Sequence, residues 1–250
     1  MSGGRVLLVT GGSRGIGAAV CLAAASEGWR VAVNYASNRQ AAEEIAGQIT
    51  GAGGVAIAVQ GDVGSEDGVK AIFAAVDAAF GRLDGLVNNA GIIGSPQPID
   101  EISAERLERM IRVNVTGAIR CAAEAVKRMS TRHGGQGGSI VNLSSVAALL
   151  GAPGQYVDYA ATKGAIDSFT VGLAREVAAD GIRVNAVRPG IIDTDIHASG
   201  GLPDRARDMA PSIPMQRPGT AGEVADAILY LLSDKATYVT GAILNVSGGR

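Results

Sequence analysis

Seven short runs rich in Val, Ile and Leu recur along the chain, separated by longer stretches of helical period. No other feature narrows the possible folds as much. The runs are Arg5–Thr10, Arg30–Tyr35, Val55–Gln60, Leu83–Asn88, Ser139–Ser144, Ile182–Arg188 and Ala242–Val246. They show little polar alternation, as strands covered on both faces do. Between them lie helical patterns near 15–27, 38–51, 66–80, 102–131, 157–179 and 220–232. The last opens with Thr220-Ala-Gly-Glu223, a capping-box sequence. A strand–helix repeat with no break in composition predicts an α/β fold. The expected form is a Rossmann-like, doubly wound parallel sheet of about seven strands, with helices on both faces. A single domain over residues 1–250 is expected.

Composition narrows the function. The 22 basic and 24 acidic residues leave a net charge of −2, which gives no basic face for nucleic acid. No apolar stretch approaches the ~20 residues that span a bilayer. The first apolar run, Val6 to Val9, is too short for a signal peptide and runs at once into glycines. Cys21 and Cys121 lie far apart in helical patterns and read as small buried thiols in a reduced compartment. No cluster has metal-ligand spacing. These features predict a soluble cytoplasmic protein with a small-molecule partner and neither a nucleic-acid nor a membrane partner.

One segment breaks the rhythm. Asp193 to Gly219 has no strand period and carries Pro203, Pro211, Pro214 and Pro218. It comes after the sixth strand, on the edge where such sheets bind ligands, so residues 193–218 are read as a substrate lid. His197 lies on it and is a candidate substrate contact, whereas His133 sits in a Gly-rich loop and reads as solvated. The other candidate contacts, Ile93–Pro98 and Leu149–Val157, are mainly small and apolar, which suggests a modestly hydrophobic or uncharged substrate.

The first strand runs into Thr10-Gly-Gly-Ser-Arg-Gly-Ile-Gly17 and then an Ala-rich helix. Strand, glycine turn and helix make a pyrophosphate site: Gly11 and Gly15 permit tight turning, Gly17 lets the helix pack closely, and the helix dipole faces the anion. NAD-type sites place Asp or Glu at the end of the second strand, on the ribose hydroxyl. Here that strand ends Asn34-Tyr35-Ala36-Ser37-Asn38-Arg39, with no carboxylate. Arg14, Ser37, Asn38 and Arg39 would instead supply charge and hydrogen bonds to a 2′-phosphate, so NADP(H) is expected over NAD(H).

The fifth run ends in two hydroxyls, Ser144 and Ser145, and Tyr159-Ala-Ala-Thr-Lys163 opens a later helix. A tyrosine and a lysine four apart share a helix face, about 6 Å apart along the axis. The ammonium should favour tyrosinate and lower the phenol's pKa from ~10, so that it exchanges protons near neutral pH. Asn114 lies beside the expected apolar stripe Leu107, Ile111, Ala118 and Ala122, where a polar group needs a partner.

Thr10–Gly17, Asn88-Asn-Ala-Gly91, Asn114, the serine strand, Tyr159-xxx-Lys163 and Pro189-Gly190 occur in the order of the short-chain dehydrogenase/reductase family, which the chain resembles over nearly its whole length. The likeness is greatest to 3-oxoacyl-carrier-protein reductases and glucose 1-dehydrogenases. The resemblance implies hydride transfer between a nicotinamide and a carbonyl or secondary alcohol. It implies Tyr159 as general acid/base, Lys163 on the nicotinamide ribose, a serine on the substrate oxygen, and Asn114 in a proton relay with Lys163. Both Ser144 and Ser145 are candidates, and the following Val-Ala-Ala favours Ser145. Implied cofactor contacts are Gly11, Ser13, Arg14, Gly15, Ile16 and Gly17, then Asn34, Tyr35, Ser37 and Asn38. Further along they are Asp62 and Val63 on the adenine, Asn89, Ala90 and Gly91 on its ribose, Tyr159 and Lys163, and Pro189, Gly190, Ile192 and Thr194 on the carboxamide. A homotetramer is implied by the same resemblance.

Overall fold

The computed structural model describes residues 4–195 and 200–250. Its seven strands are β1 (Val6–Val9), β2 (Arg30–Tyr35), β3 (Val55–Gln60), β4 (Gly85–Asn88), β5 (Gly138–Leu143), β6 (Ile182–Pro189) and β7 (Ile243–Val246). They form one sheet in the order β3-β2-β1-β4-β5-β6-β7, every neighbouring pair parallel. This is the expected doubly wound Rossmann-like architecture. The order reverses between β1 and β4, and in such sheets ligands sit at the carboxyl ends of the strands beside that switch point.

The lack of polar alternation in β1 has a direct structural cause. Leu7 and Val9 pack on one face, with Ala24, Val224 and Ile228 of the Gly15–Ser26 and Ala221–Leu232 helices. Val6 and Leu8 pack on the other, with Ile72, Phe73 and Ala122 of the Glu66–Phe80 and Ala118–Met129 helices. Burying each such aliphatic side chain is worth about 1.5–3 kcal/mol, so each strand anchors two helical layers. The capping box also forms: Thr220 Oγ1 accepts from Glu223 N at 3.2 Å, and Glu223 Oε2 accepts from Thr220 N at 2.8 Å. Cys21 and Cys121 are buried free thiols. Among the described residues no helix is long and apolar enough to cross a membrane.

The 102–131 pattern is not one helix. It is Ala104–Ile111, a π-helical turn Arg112–Gly117, and Ala118–Met129. A π turn takes up an extra residue and so rotates the helix on one side of it relative to the helix on the other. The expected apolar stripe therefore holds only at Ala118 and Ala122; Leu107 is 42% and Ile111 44% exposed, and Met110 is the buried residue of the first part.

The segment after β6 is also more ordered than its prolines suggest. Ile192 pairs with Gly219 in an isolated parallel bridge, which closes the base of the excursion. Within the excursion, Arg205–Met209 forms a short helix, and Ala206 and Ile213 pack with Ile191 and Met209 in a small core of their own. His197 lies outside the described residues.

Candidate active site

The turn after β1 is held from two sides. Asn89 Nδ2 donates to the carbonyls of Thr10 and Gly11, both at 2.9 Å, and Thr10 Oγ1 accepts from the amides of Asn89 and Ala90. Gly17 permits this closeness: a Cβ there would stand 2.5 Å from Asn89 Nδ2 and closer still to the Gly11 carbonyl oxygen. The turn's carbonyls are thus engaged by Asn89, and the first amides of the Gly15–Ser26 helix, which lack intrahelical acceptors and have no side-chain cap, are left for another acceptor.

Asn34, expected to touch a cofactor, has another task. It is buried, its Oδ1 accepts from Gly11 N at 3.2 Å, and its Nδ2 donates to the Val59 and Gly61 carbonyls at 3.1 Å. It ties the glycine turn to the end of β3, and sequence alone could not reveal that its partners come from two other strands. Beyond β2, Tyr35 is buried while Ser37 is exposed. Asn38 Oδ1 caps the Arg39–Gly51 helix by accepting from Ala41 N, and Arg39 pairs with Glu43 at 2.7 Å. Arg39 is therefore engaged along its own helix, in the common i,i+4 manner. Arg14 is exposed where the turn enters its helix. Asp62 is exposed, with Oδ1 accepting from Gly64 N, and Val63 beside it is buried.

Ser145, Tyr159 and Lys163 come together in a cleft of about 370 Å³. Ser144 and Ser145 both border it, with different commitments. Ser144 Oγ is buried and donates to the Lys163 carbonyl at 3.2 Å. Ser145 is hydrogen-bonded to the Tyr159 side chain, and its Oγ also accepts from Ala147 N at 3.1 Å. Ser145 is thus the serine that faces the phenol.

The electrostatics correct one expectation. Burial pushes the Tyr159 phenol up to about 12, and the Ser145 hydrogen bond only partly opposes this. Lys163 does not lower it. The ammonium Nζ donates to the Leu143 carbonyl at 2.6 Å and lies 5.5 Å from the phenol ring centroid. Burial brings the lysine's own pKa down to about 8, and the Asp167 carboxylate one turn on acts the other way. Asp167 is in turn bound to Arg188 of β6 at 2.8 Å. Desolvation dominates both groups because each charged form would lie in a poorly hydrated cleft.

Asn114 finds its partners as a buried polar group must. Its Oδ1 accepts from Ile92 N at 2.8 Å, and its Nδ2 donates to Ile92 O at 2.9 Å and lies 3.3 Å from Thr162 Oγ1. Thr162 Oγ1 in turn donates to the Tyr159 carbonyl. Asn114 thereby joins the π turn, the segment after β4 and the tyrosine's helix. A Cβ at Gly91 would lie 3.4 Å from Asn114 Oδ1 and 3.8 Å from Lys163 Nζ, so Gly91 keeps open the space between them.

Of the remaining expected residues, Ile16, Asn89, Gly91, Pro189, Gly190, Ile192 and Thr194 line the same cleft. Tyr35, Ser37, Asn38, Asp62 and Val63 do not; they lie around the ends of β2 and β3. Arg205, from the short helix after Pro203, lines the cleft from within the segment read as the lid, and Arg250 lines it without having been foreseen. Among the described residues, they and Lys163 give the cleft three cations, and no Asp or Glu side chain lines it. The rest of the lining, including Ile93, Val146, Leu150, Pro153 and Ile191, is mainly apolar, as the sequence suggested. Among the described residues no group of His, Cys, Asp and Glu is arranged to hold a metal ion.

A family model described as enoyl-(acyl carrier protein) reductase matches residues 11–250. An uncharacterised oxidoreductase of Escherichia coli K12, YgfF, is 56% identical over 245 residues, 98% of this chain and 99% of that one. A 3-oxoacyl-[acyl-carrier-protein] reductase FabG of Staphylococcus aureus is 40% identical over 97% of this chain and 96% of its own. The crystal structure of a 3-ketoacyl-(acyl-carrier-protein) reductase from Brucella melitensis, complexed with NADH, superimposes with a TM-score of 0.91 at 33% identity, covering 99% of this chain and 98% of the other. Likeness of this extent, on a shared fold, makes the protein a member of the short-chain dehydrogenase/reductase family of oxidoreductases.

Proposed function

We propose that the protein is an NADP(H)-dependent reductase of a carbonyl group, reversible as a secondary-alcohol dehydrogenase, with Tyr159 as its general acid and base. One observation carries this reading: a phenol hydrogen-bonded to Ser145, with a buried ammonium one helical turn on, in a cleft bordered by the glycine turn.

The residues fit a dinucleotide, because the turn is a cradle that a Cβ at Gly17 would fill. Gly11, Ser13, Arg14, Gly15, Ile16 and Gly17 would hold the pyrophosphate. Asp62 and Val63 would meet the adenine, and Asn89, Ala90 and Gly91 its ribose. Lys163 and Tyr159 would hold the nicotinamide ribose, with Pro189, Gly190, Ile192 and Thr194 at the carboxamide. When bound, the nicotinamide supplies or accepts the hydride. The Brucella relative carries NADH, so the choice of dinucleotide rests on this chain's own second strand. Residues 34–39 contain no carboxylate to repel a 2′-phosphate, and Arg14 and Ser37 are exposed beside its expected place.

The chain's own groups then divide the proton work. With a pKa of about 12, Tyr159 holds its proton at neutral pH and is set to give it to a substrate oxygen, which favours reduction. Ser145 is a second donor to the negative charge that grows on that oxygen. Lys163 and Asn114, with Gly91 leaving room between them, are the candidates for resupplying the proton.

Residues 193–218, closed at the base by Ile192 and Gly219, act as the substrate lid of this single-domain enzyme. An assembly of four copies would cover its exposed apolar side chains, and free buried thiols suit the cytoplasm.

A panel of ketones with NADPH tests the reading. Carbonyl-dependent NADPH oxidation is expected, abolished in Tyr159→Phe with cofactor binding kept, and kcat/KM should favour NADPH over NADH. Full activity in Tyr159→Phe would overturn the mechanism, and a preference for NADH would overturn the cofactor assignment. A dinucleotide sensor on the same fold is the second reading; it predicts tight NADPH binding with no turnover of any carbonyl. A 3-oxoacyl thioester, after the names of the relatives, is the specific substrate alternative.

A further inference from the structure

The lining of the cleft has a feature that general carbonyl chemistry does not need. Arg205 and Arg250 reach the same cavity from elements far apart in sequence. Arg205 is held in place: Nη2 donates to Gln155 Oε1 at 2.9 Å, and its guanidinium stacks on Tyr156 at 5.1 Å from the ring centroid. Neither arginine has a carboxylate within ion-pair distance among the described residues. Three other arginines drawn into the protein do: Arg106 holds Asp158, Arg128 holds Asp77 and Glu124, and Arg188 holds Asp167, while Arg183 is satisfied instead by the carbonyls of Leu231, Leu232 and Ser233. Glu223, which lines the adjoining depression with the 248–250 segment, is taken by Arg217 at 2.6 Å. Burial and the neighbouring Arg205 charge both lower the pKa of Arg250. Two half-buried like charges that converge with no carboxylate in ion-pair contact raise the energy of the free cleft, and a bound oxyanion would relieve it through charge-assisted, bidentate contacts.

We infer that Arg205 and Arg250 form an oxyanion subsite, and that the carbonyl compound reduced here carries its own carboxylate or phosphate within reach of the cleft. This rests on the reductase reading and names the substrate class within it. A thioester group is itself neutral and does not use such a pair, so a small neutral thioester serves as the control for this inference. Tyr156 and Gln155 position Arg205 and need not touch the ligand themselves.

The test uses matched pairs that differ only in charge: 4-oxopentanoate against its methyl ester, and dihydroxyacetone phosphate against dihydroxyacetone, with the neutral N-acetylcysteamine thioester of 3-oxobutanoate as a third arm. The expected result is a kcat/KM for at least one anion exceeding that of its neutral partner by about tenfold or more, the scale of a charge-assisted contact. Which pair responds tells carboxylate from phosphate. Arg250→Gln and Arg205→Gln should each reduce that ratio, the double variant should bring it close to one, and Arg250→Lys should restore part of it. Because Arg205→Gln also releases Gln155 and Tyr156, the Arg250 variants keep the test independent of that helix. In parallel, calorimetry measures binding of pentanoate and of inorganic phosphate to the protein–NADP+ complex, with weaker binding expected in the double variant. Neutral ketones or the thioester reduced as well as the anions, with ratios unmoved by either arginine, would overturn the inference and leave the reductase reading standing. Anion binding that depends on both arginines without turnover of any carbonyl would do the reverse. No arginine-dependent binding and no anion preference defeats the subsite outright.

Discussion

Lys163 Nζ donates to the carbonyl of Leu143 at 2.6 Å, which fixes the lysine to the end of β5 and sets its charge apart from the phenol it was expected to tune. Its ammonium is disfavoured by burial, with a pKa of about 8 against the usual value near 10.5. Below about pH 8 the side chain is charged and attracts an anionic, hydroxyl-rich cofactor; above it the charge is lost. The kcat/KM for NADPH, which reports the free enzyme, is expected to fall as pH rises through about 8. Folding stability moves the other way: between about 8 and 10.5 the unfolded chain holds a proton that the folded one does not, so this group adds stability as pH rises.

Asp167 supplies the check on that assignment. Its carboxylate holds the Lys163 pKa up, so Asp167→Asn should move the kinetic inflection below pH 8. The same change strips Arg188 of its partner, and losing one side of a buried pair costs about 3 kcal/mol. A profile whose inflection stays in place, in a variant that thermal melts show to be destabilised, would mean that some other group titrates.

The two serines give opposite expectations. Ser145→Ala removes a donor to the developing oxyanion and a hydrogen bond to Tyr159, and kcat should fall by about 100-fold. Ser144→Ala removes a bond to the Lys163 carbonyl and should cost about 1 kcal/mol of stability with kcat nearly kept. Steady-state kinetics and chemical denaturation on the two variants separate these effects. A larger kcat loss in Ser144→Ala would exchange their roles.

How much of this was legible in the sequence depends on whether the deciding physics is local. The strands were readable because both faces of a parallel sheet are buried, and residues such as Val6 and Leu7 must both be apolar although they point opposite ways. The capping box was readable because its four residues contain both halves of the interaction. The π turn at 112–117 was not, since one extra residue per turn leaves no mark in composition, and it put Leu107 and Ile111 on the wrong face. The Tyr159–Lys163 spacing was visible but its energetics were not: burial, set by elements far along the chain, outweighs a neighbour four residues away. Arg205 lies in the proline-rich stretch read as the lid, but without periodicity nothing singled it out there. Arg250 gains meaning only because the fold brings it to the lining of the cleft, far from Tyr159 and Lys163 in sequence.

Gly17 offers a test of the turn that is independent of catalysis. A methyl group there meets the Gly11 carbonyl and Asn89 Nδ2, both parts of the framework that holds the turn. Neither can retreat, because Asn89 also holds Thr10 and Asn34 holds Gly11. Gly17→Ala should therefore weaken NADPH binding by at least about tenfold and lower stability by roughly 1–3 kcal/mol, the cost of overpacking. Fluorescence titration and denaturation measure the two. Unchanged affinity in a folded variant would mean that the turn is not the pyrophosphate cradle.

The displaced stripe has a consequence for assembly. Leu107, Ile111 and Ile119 expose 42%, 44% and 39% of their surface along the helical run 104–129, while Tyr230, Tyr238 and Leu244 are exposed around the 221–232 helix and β7. Exposed large apolar side chains on two separate elements are candidates for interfaces, and two self-complementary contacts of different kinds would build a closed tetramer. Charge placed in either region should break one contact and leave the other. Sedimentation of the unaltered protein is expected to give four copies, with Ile111→Glu and Leu244→Glu each giving dimers and the pair giving monomers. Helix content should stay level, because all these side chains lie outside the two cores. A wild-type monomer, or variants that sediment like the wild type, would leave the apolar regions without this explanation.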